Sequence, residues 1–146
     1  MKLKELVPEL VVENVERSID FYKNMLDFEV ITQVLEEGTP IWAELANESV
    51  RLMVQSRYET QTEKLAISVS TIGGTMLLVF RFESYNTVHN LWARLARWEH
   101  VVFPLRETDY GTIEFSVTDP DGYVLIFAGK EFKHSINNSE PDLQET

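Results

Sequence analysis

Apolar positions along the chain change their period several times, and each change marks an element. Leu6 to Val12 (LVPELVV) is dense in β-formers, with Pro8 confining it to an edge position or a strand start. Asn14 can cap a helix, and Val15, Ile19, Tyr22 and Leu26 then recur at helical spacing beside Ser18 and Met25. That spacing predicts an amphipathic helix of about three turns. Phe28 to Leu35, Ile41 to Leu45 and Val50 to Gln55 read as strands separated by turns at 36–40 and 46–49. The order is β-α-β-β-β.

The same order then returns. Met76 to Phe82 (MLLVFRF) reads as a strand, and Ser84 or Asn86 can cap a helix marked by Val88, Leu91, Trp92 and Leu95, ending near Arg97–Trp98. Val101 to Leu105 is a short strand that Pro104 restricts to an edge, Arg106 to Tyr110 a polar loop, and Gly111 to Val117 a further strand. Asp119-Pro120-Asp121-Gly122 carries the residue preferences of a type I turn, and the apolar residues from Tyr123 to Phe127 make it a hairpin. Between the two units, Ser56 to Glu63 reads as loop or a short helix and Lys64 to Ile72 fits no single period. Gly73-Gly74 reads as a hinge. From Lys130 onward the chain is polar and aperiodic, the pattern of a flexible tail.

The expected organisation is one domain over residues 1–129, with modules at about 5–56 and 75–129, a linker at 57–74 and a tail at 130–146. Each module offers a sheet with a helix on one face only, so the other face has to be covered or lined. Pairing the two modules makes a cup between them, where a small ligand would sit. The fold class is therefore α+β: two paired βαβββ modules forming a cup-shaped, partly closed mixed sheet with the helices outside.

Composition narrows the partners. With 44% hydrophobic and 25% charged residues among 146, the chain has the make-up of an ordinary globular domain. It has no cysteine, which removes disulfides, thiolate metal sites and thiol nucleophiles. Met76 to Phe80, the most apolar stretch, is far too short to span a bilayer, and cytoplasmic residence is the default expectation. The formal net charge is −11, spread over both halves, which opposes nucleic-acid binding through phosphates. A cationic or neutral ligand suits that field better than an anion, although an acidic coat for solubility accounts for it equally well.

Two stretches carry a family resemblance. Val7 to Tyr22 (VPELVVENVERSIDFY) followed by Leu26-Asp27-Phe28 is similar to a first strand, an S-x-x-F-Y helix start and an L-G-F helix end. Phe115 to Tyr123 (FSVTDPDGY) is similar to an F-x-x-x-D-P-D-G hairpin. Together they resemble the vicinal oxygen chelate superfamily of glyoxalase I, extradiol dioxygenases and bleomycin and fosfomycin resistance proteins, with Asp27 in place of the usual glycine. The resemblance spans the chain to about Gly129 and implies the paired-module fold.

It also implies where a metal would be held. The family's ligand positions, on the first, fourth, fifth and eighth strands, fall at Val7, Arg51, about Leu77 within two residues either way, and Ile126. None of these side chains binds a divalent ion, and Arg51 would repel one. His89 and His100 lie in or after the second helix and His134 in the tail, without zinc-site spacing. No metal site and no cofactor are expected, although a displaced set drawn from Glu9, Glu44 or Glu114 is the alternative. No serine has a catalytic His and carboxylate beside it in sequence.

Strand alternation puts Val7, Glu9 and Val11 on one face and Arg51, Met53 and Gln55 on another, both directed into the cup if the alignment holds. Glu9 and Arg51 could then pair across neighbouring strands, as an anion for a cationic ligand and a group orienting it, or as a plain salt bridge. Trp42, Phe103 and Tyr110, at strand ends beside charged or loop residues, are the aromatic wall candidates. The expected ligand-binding set is thus Glu9, Trp42, Arg51, Met53, Phe103 and Tyr110, with no catalytic residue. The resemblance is closest to bleomycin-resistance-type proteins: metal-independent binding and sequestration of a small, partly apolar and, by the acidic field, cationic molecule. It implies a homodimer with the pocket at or near the subunit interface. The alternatives are a glyoxalase-like lyase or dioxygenase-like enzyme with relocated ligands, and an interaction module whose cup is filled by its own side chains.

Overall fold

The first helix begins where Asn14 leaves extended conformation and its side chain accepts the Arg17 N–H at 2.9 Å. It ends where Asp27 turns left-handed, with φ at 54°. Ser84 plays the same capping part for the second helix, accepting from the Thr87 N–H, so the cap is Ser84 rather than Asn86. The computed structural model describes residues 1–58, 72, 73 and 76–130. Its elements run β1 (Glu9–Val12), α1 (Val15–Leu26), β2 (Glu29–Glu36), β3 (Thr39–Asn47), β4 (Val50–Ser56), β5 (Leu77–Phe82), α2 (Tyr85–Leu95), β6 (Val101–Glu107), β7 (Thr112–Thr118) and β8 (Val124–Lys130). Most of the expected linker and tail lies outside the described residues.

These elements build the two βαβββ modules that the repeat predicts, an α+β architecture. One four-stranded sheet has the order β1-β4-β3-β2 and the other β5-β8-β7-β6. In each, the first strand runs parallel to the last and the remaining pairs are antiparallel. The two sheets are separate rather than closed into one. Alternation sorts the side chains as expected. Leu10, Val12, Leu45, Leu52 and Val54 are buried with Val15, Tyr22 and Leu26 of α1, and Phe115, Val117, Leu125 and Phe127 with Val88, Leu91 and Leu95 of α2. The opposite face of each sheet is open.

Boundaries moved where turn chemistry was misjudged. β1 starts at Glu9 rather than Leu6, and Pro8, which has no N–H to give, still joins the sheet through its carbonyl, which accepts the Met53 N–H at 2.9 Å. Glu37 and Gly38, both at positive φ, make the β2–β3 turn alone, which frees Thr39 and Pro40 for β3. β6 runs on to Glu107, so the loop before β7 is shorter than the polar stretch suggested. Gly73 is buried, with φ at 77°, and a Cβ there would stand 2.7 Å from the Gly122 carbonyl carbon. It is a close-packed contact rather than a hinge.

The modules are locked by the two stretches that carried the resemblance. In the turn of the β7–β8 hairpin, Gly122 N–H donates to the Asp119 carbonyl at 3.1 Å. The Asp119 carboxylate accepts from the Asp121 and Tyr123 N–H groups and, across the junction, from the Tyr22 hydroxyl at 2.7 Å. Asp121 reaches the entry to the same helix, accepting from the N–H of Glu13, just before the Asn14 cap, and from Arg17 in its first turn at 3.0 Å. The Tyr123 hydroxyl donates to the Val11 carbonyl at 2.8 Å. Phe21 against Trp98 and Phe28 against Phe80 extend the junction with aromatic contacts. Burial pushes the Asp119 carboxyl, the Tyr22 hydroxyl and the Tyr123 hydroxyl up, Tyr22 well above its usual range.

Candidate functional site: a cavity between the modules

A cavity of about 770 Å³ opens between the modules, bordered on one side by the segment entering β1 and on the other by β5. That volume lies within the range usual for small-molecule sites. Both bordering strands are sheet edges. The floor is apolar: Phe28, Leu78, Phe80, Phe82, Leu91 and Phe127 line it. The alternation of β5 explains this, since Leu78, Phe80 and Phe82 point toward the helix layer and are only partly covered.

The mouth is polar. Arg51, Arg81 and Arg94 line it with Glu5, Asp27 and Glu48. Arg94 is held by Asp27 Oδ1 at 3.0 Å and by the Met25 carbonyl at 3.1 Å. Arg51 donates to the Glu48 carbonyl at 3.0 Å and lies 4.0 Å from Glu44. Among the described residues, Arg81 makes no ion pair.

Of the six residues expected to bind ligand, only Arg51 lines this cavity. Glu9 does not pair with Arg51. Its carboxylate accepts the Trp42 indole N–H at 3.0 Å, because Trp42 on β3 reaches diagonally across β4. Met53 stands between them, in register with both Glu9 and Glu44. Glu9, Trp42 and Met53 thus share the open face of the first sheet. Phe103 and Tyr110 belong to the second module, where Arg106 stacks over the Phe103 ring at 4.9 Å and the Tyr110 hydroxyl donates to Glu114 at 2.9 Å. The anion expected to anchor a cationic ligand is therefore not part of the cavity.

The family's metal positions can be tested against the same geometry. Val7, Arg51 and Val79, the last within two residues of Leu77, all line the cavity. Val79 is in register with Ile126 on β8. Val7 lies just before β1, Arg51 on β4, Val79 on β5 and Ile126 on β8, and two valines, an isoleucine and an arginine provide no donor for a divalent ion. The residues present do not fit the family's metal. The displaced alternative gains no support either: among the described residues no three His, Cys, Asp or Glu side chains group as a metal site would need.

The missed residues had a signal in the sequence. Arg81 interrupts an otherwise apolar run between two phenylalanines, so its strand exposes one charged position and half-buries two rings on its other face. Strand alternation finds that much. It does not find that β5 and the approach to β1 border one space, which depends on how the modules dock.

A family model described as the Glyoxalase/Bleomycin resistance protein/Dioxygenase superfamily matches residues 3–127, and the chain belongs to that superfamily. Solved structures agree on the fold. The chain is similar to TioX from Micromonospora sp. ML1, with a TM-score of 0.67 and 20% identity over 88% of this chain and 99% of that one. It is similar to a glyoxalase-related enzyme from Fulvimarina pelagi, at a TM-score of 0.72 and 20% identity over 88% and 89%. A glyoxalase/bleomycin resistance protein/dioxygenase family enzyme from Burkholderia phytofirmans PsJN gives a TM-score of 0.72 at 17% identity, over 86% and 97%. No curated protein sequence matches the chain. Among the described residues no helix is long and apolar enough to cross a membrane.

Proposed function

We propose that this chain binds a small, partly apolar molecule in the inter-module cavity without a metal ion, holding it rather than transforming it, and that it does so in the cytoplasm. The observation that carries the reading is the coincidence of two features. An aromatic-floored space of about 770 Å³ is lined by Val7 and Arg51, two of the positions at which the resemblance places the family's metal ligands, and by Val79 beside the third, and none of these side chains is a donor for a divalent ion. Such a space favours an apolar body through burial and ring contacts. A module filled by its own side chains would leave less than roughly 300 Å³, the lower end of ligand-site volumes, so the cavity weighs against that alternative.

A second copy of the chain belongs to the proposal. Leu77, Val79 and Phe103 are 59%, 52% and 52% exposed on the open side of the second module, as Val30, Ile31, Val34 and Leu35 are along β2. The open face of the first sheet carries Glu9, Glu29 and Glu44 with Arg51, whereas that of the second carries Arg81, Arg106 and Lys130 with Glu114. Unlike charges on the two faces suit a dimer in which each sheet of one copy meets the other sheet of its partner.

Metal analysis tests the first claim. Protein purified without chelator is expected to carry no stoichiometric metal, whereas one Zn, Ni or Fe per chain would overturn the reading in favour of a relocated catalytic site. Sedimentation equilibrium tests the second. A dimer is expected, weakening as Phe103→Glu and Leu77→Glu are introduced, and a monomer at all concentrations contradicts it.

A further inference from the structure

The charge on the ligand can be read from the cavity's mouth. We infer that the molecule held there is an amphipathic carboxylate, an apolar and preferably aromatic body bearing one anionic group, and that Arg81 takes that group. This inference rests on the cavity being a binding site, as proposed above.

Three of the chain's seven arginines line this one cavity, in a molecule whose formal net charge is −11. They differ in how far they are committed. Arg94 is tied to Asp27 and a backbone carbonyl, which fixes both its charge and its direction. Arg51 spends one N–H on the Glu48 carbonyl and has only a long contact to Glu44. Arg81 lines the cavity, stays exposed and makes no ion pair among the described residues. A guanidinium presents a planar fork that a carboxylate matches with two parallel hydrogen bonds.

Position strengthens the case. Arg81 sits between Phe80 and Phe82, whose rings lie on the floor. Arg81 alternates with those rings along the edge strand β5, so an acid with its ring against them reaches the guanidinium around the strand edge, where all three side chains border the cavity. Of the acidic lining residues, Asp27 is neutralised by Arg94. Glu48 lies in the β3–β4 turn and Glu5 in the exposed segment before β1, so neither is paired with Arg81. A cationic ligand would meet the Arg81 guanidinium directly at that point of the lining, and the two carboxylates left to attract it, Glu5 and Glu48, lie outside β5. This reverses the preference that the whole-chain charge suggests, because contact-range charges outweigh the mean field once salt screens beyond about 8–10 Å.

The test is calorimetric titration of the intact chain, at about 0.15 M salt and with chelator present, using three probes of one shape: 2-naphthoate, 2-naphthylmethanol and 2-naphthylmethylammonium. The carboxylate is expected to bind about tenfold or more tighter than the alcohol, as a charge-assisted pair allows, and the ammonium most weakly. Arg81→Gln should remove the carboxylate's advantage over the alcohol. Arg81→Lys should retain part of it, and Arg97→Gln, a change of equal charge away from the cavity, should retain all of it. Melting curves of each variant check that the fold is intact. Equal binding of the carboxylate and the alcohol, or a carboxylate preference that survives Arg81→Gln, overturns the inference while the apolar binding site stands. Failure of all three probes to bind overturns both.

Discussion

Tyr22 and Asp119 lie 97 positions apart, yet their side chains form a 2.7 Å hydrogen bond that joins the two modules. The hydroxyl is buried and held beside a carboxylate, so its folded pKa is well above the usual 10.0. The folded chain therefore keeps a proton that the unfolded chain releases. Stability from this group is complete below about pH 10 and is lost as pH rises from there through the folded value. Tyr123 is shifted in the same direction, by burial. Replacing Tyr22 with Phe strips a donor from the buried Asp119 carboxylate and should cost about 1–3 kcal/mol near neutral pH. It should also flatten part of the fall above pH 10. Urea midpoints at pH 7 and across pH 9–11 check both, and an unchanged alkaline slope would remove Tyr22 from the account. The sequence pointed to these residues only as marks of a resemblance. That they are partners follows from packing between modules, which no local pattern contains.

Helices and strands were legible wherever one face is buried. Val15, Tyr22 and Leu26 announced α1, and Leu10, Val12, Leu52 and Val54 announced the parity of β1 and β4, because burial on one side imposes a period. Termini were less legible. β3 takes in Pro40 because the turn needs only Glu37 and Gly38, and β6 runs past Pro104 because an edge strand tolerates a missing donor. Asp27 replaces a glycine at the end of α1. It adopts the left-handed conformation open to Asp, and its carboxylate then pairs with Arg94 of α2. Gly129 shows a constraint of the opposite kind. It lets β8 lie against the start of α2, where an added Cβ would stand 2.7 Å from Val88 Cγ2 and 2.9 Å from the Ser84 carbonyl. Gly129→Ala should destabilise the chain by about 1–3 kcal/mol through overpacking, read as a lower urea midpoint. An unchanged midpoint would mean that this strand and helix are not seated as described.

Across the molecule, the repeat predicted two modules and a space between them, and of the six residues expected to line that space the inter-module cavity includes Arg51. Glu9, Trp42, Met53, Phe103 and Tyr110 are strand residues of the right polarity, but they lie on open sheet faces rather than in the cavity. The cavity forms between the segment entering β1 and the edge strand β5, so its walls come from that segment, from both faces of β5, from the β3–β4 turn and from α2. Edge placement depends on docking between segments some 70 residues apart in sequence, beyond the reach of alternation. The absence of donors at Val7, Arg51, about Leu77 and Ile126 was legible, since it needed only an alignment on the resembling stretches and their strands. The central claim is that this cavity binds an apolar molecule without metal. Titration of chelator-treated protein with 2-naphthylmethanol, beside the variant Val79→Trp that fills the cavity from its exposed edge, tests it most directly. Saturable binding by the unmodified chain, lost in a Val79→Trp variant of unchanged melting temperature, is the expected result. Binding that appears only after Zn, Ni or Fe is restored, or that survives Val79→Trp intact, would contradict it.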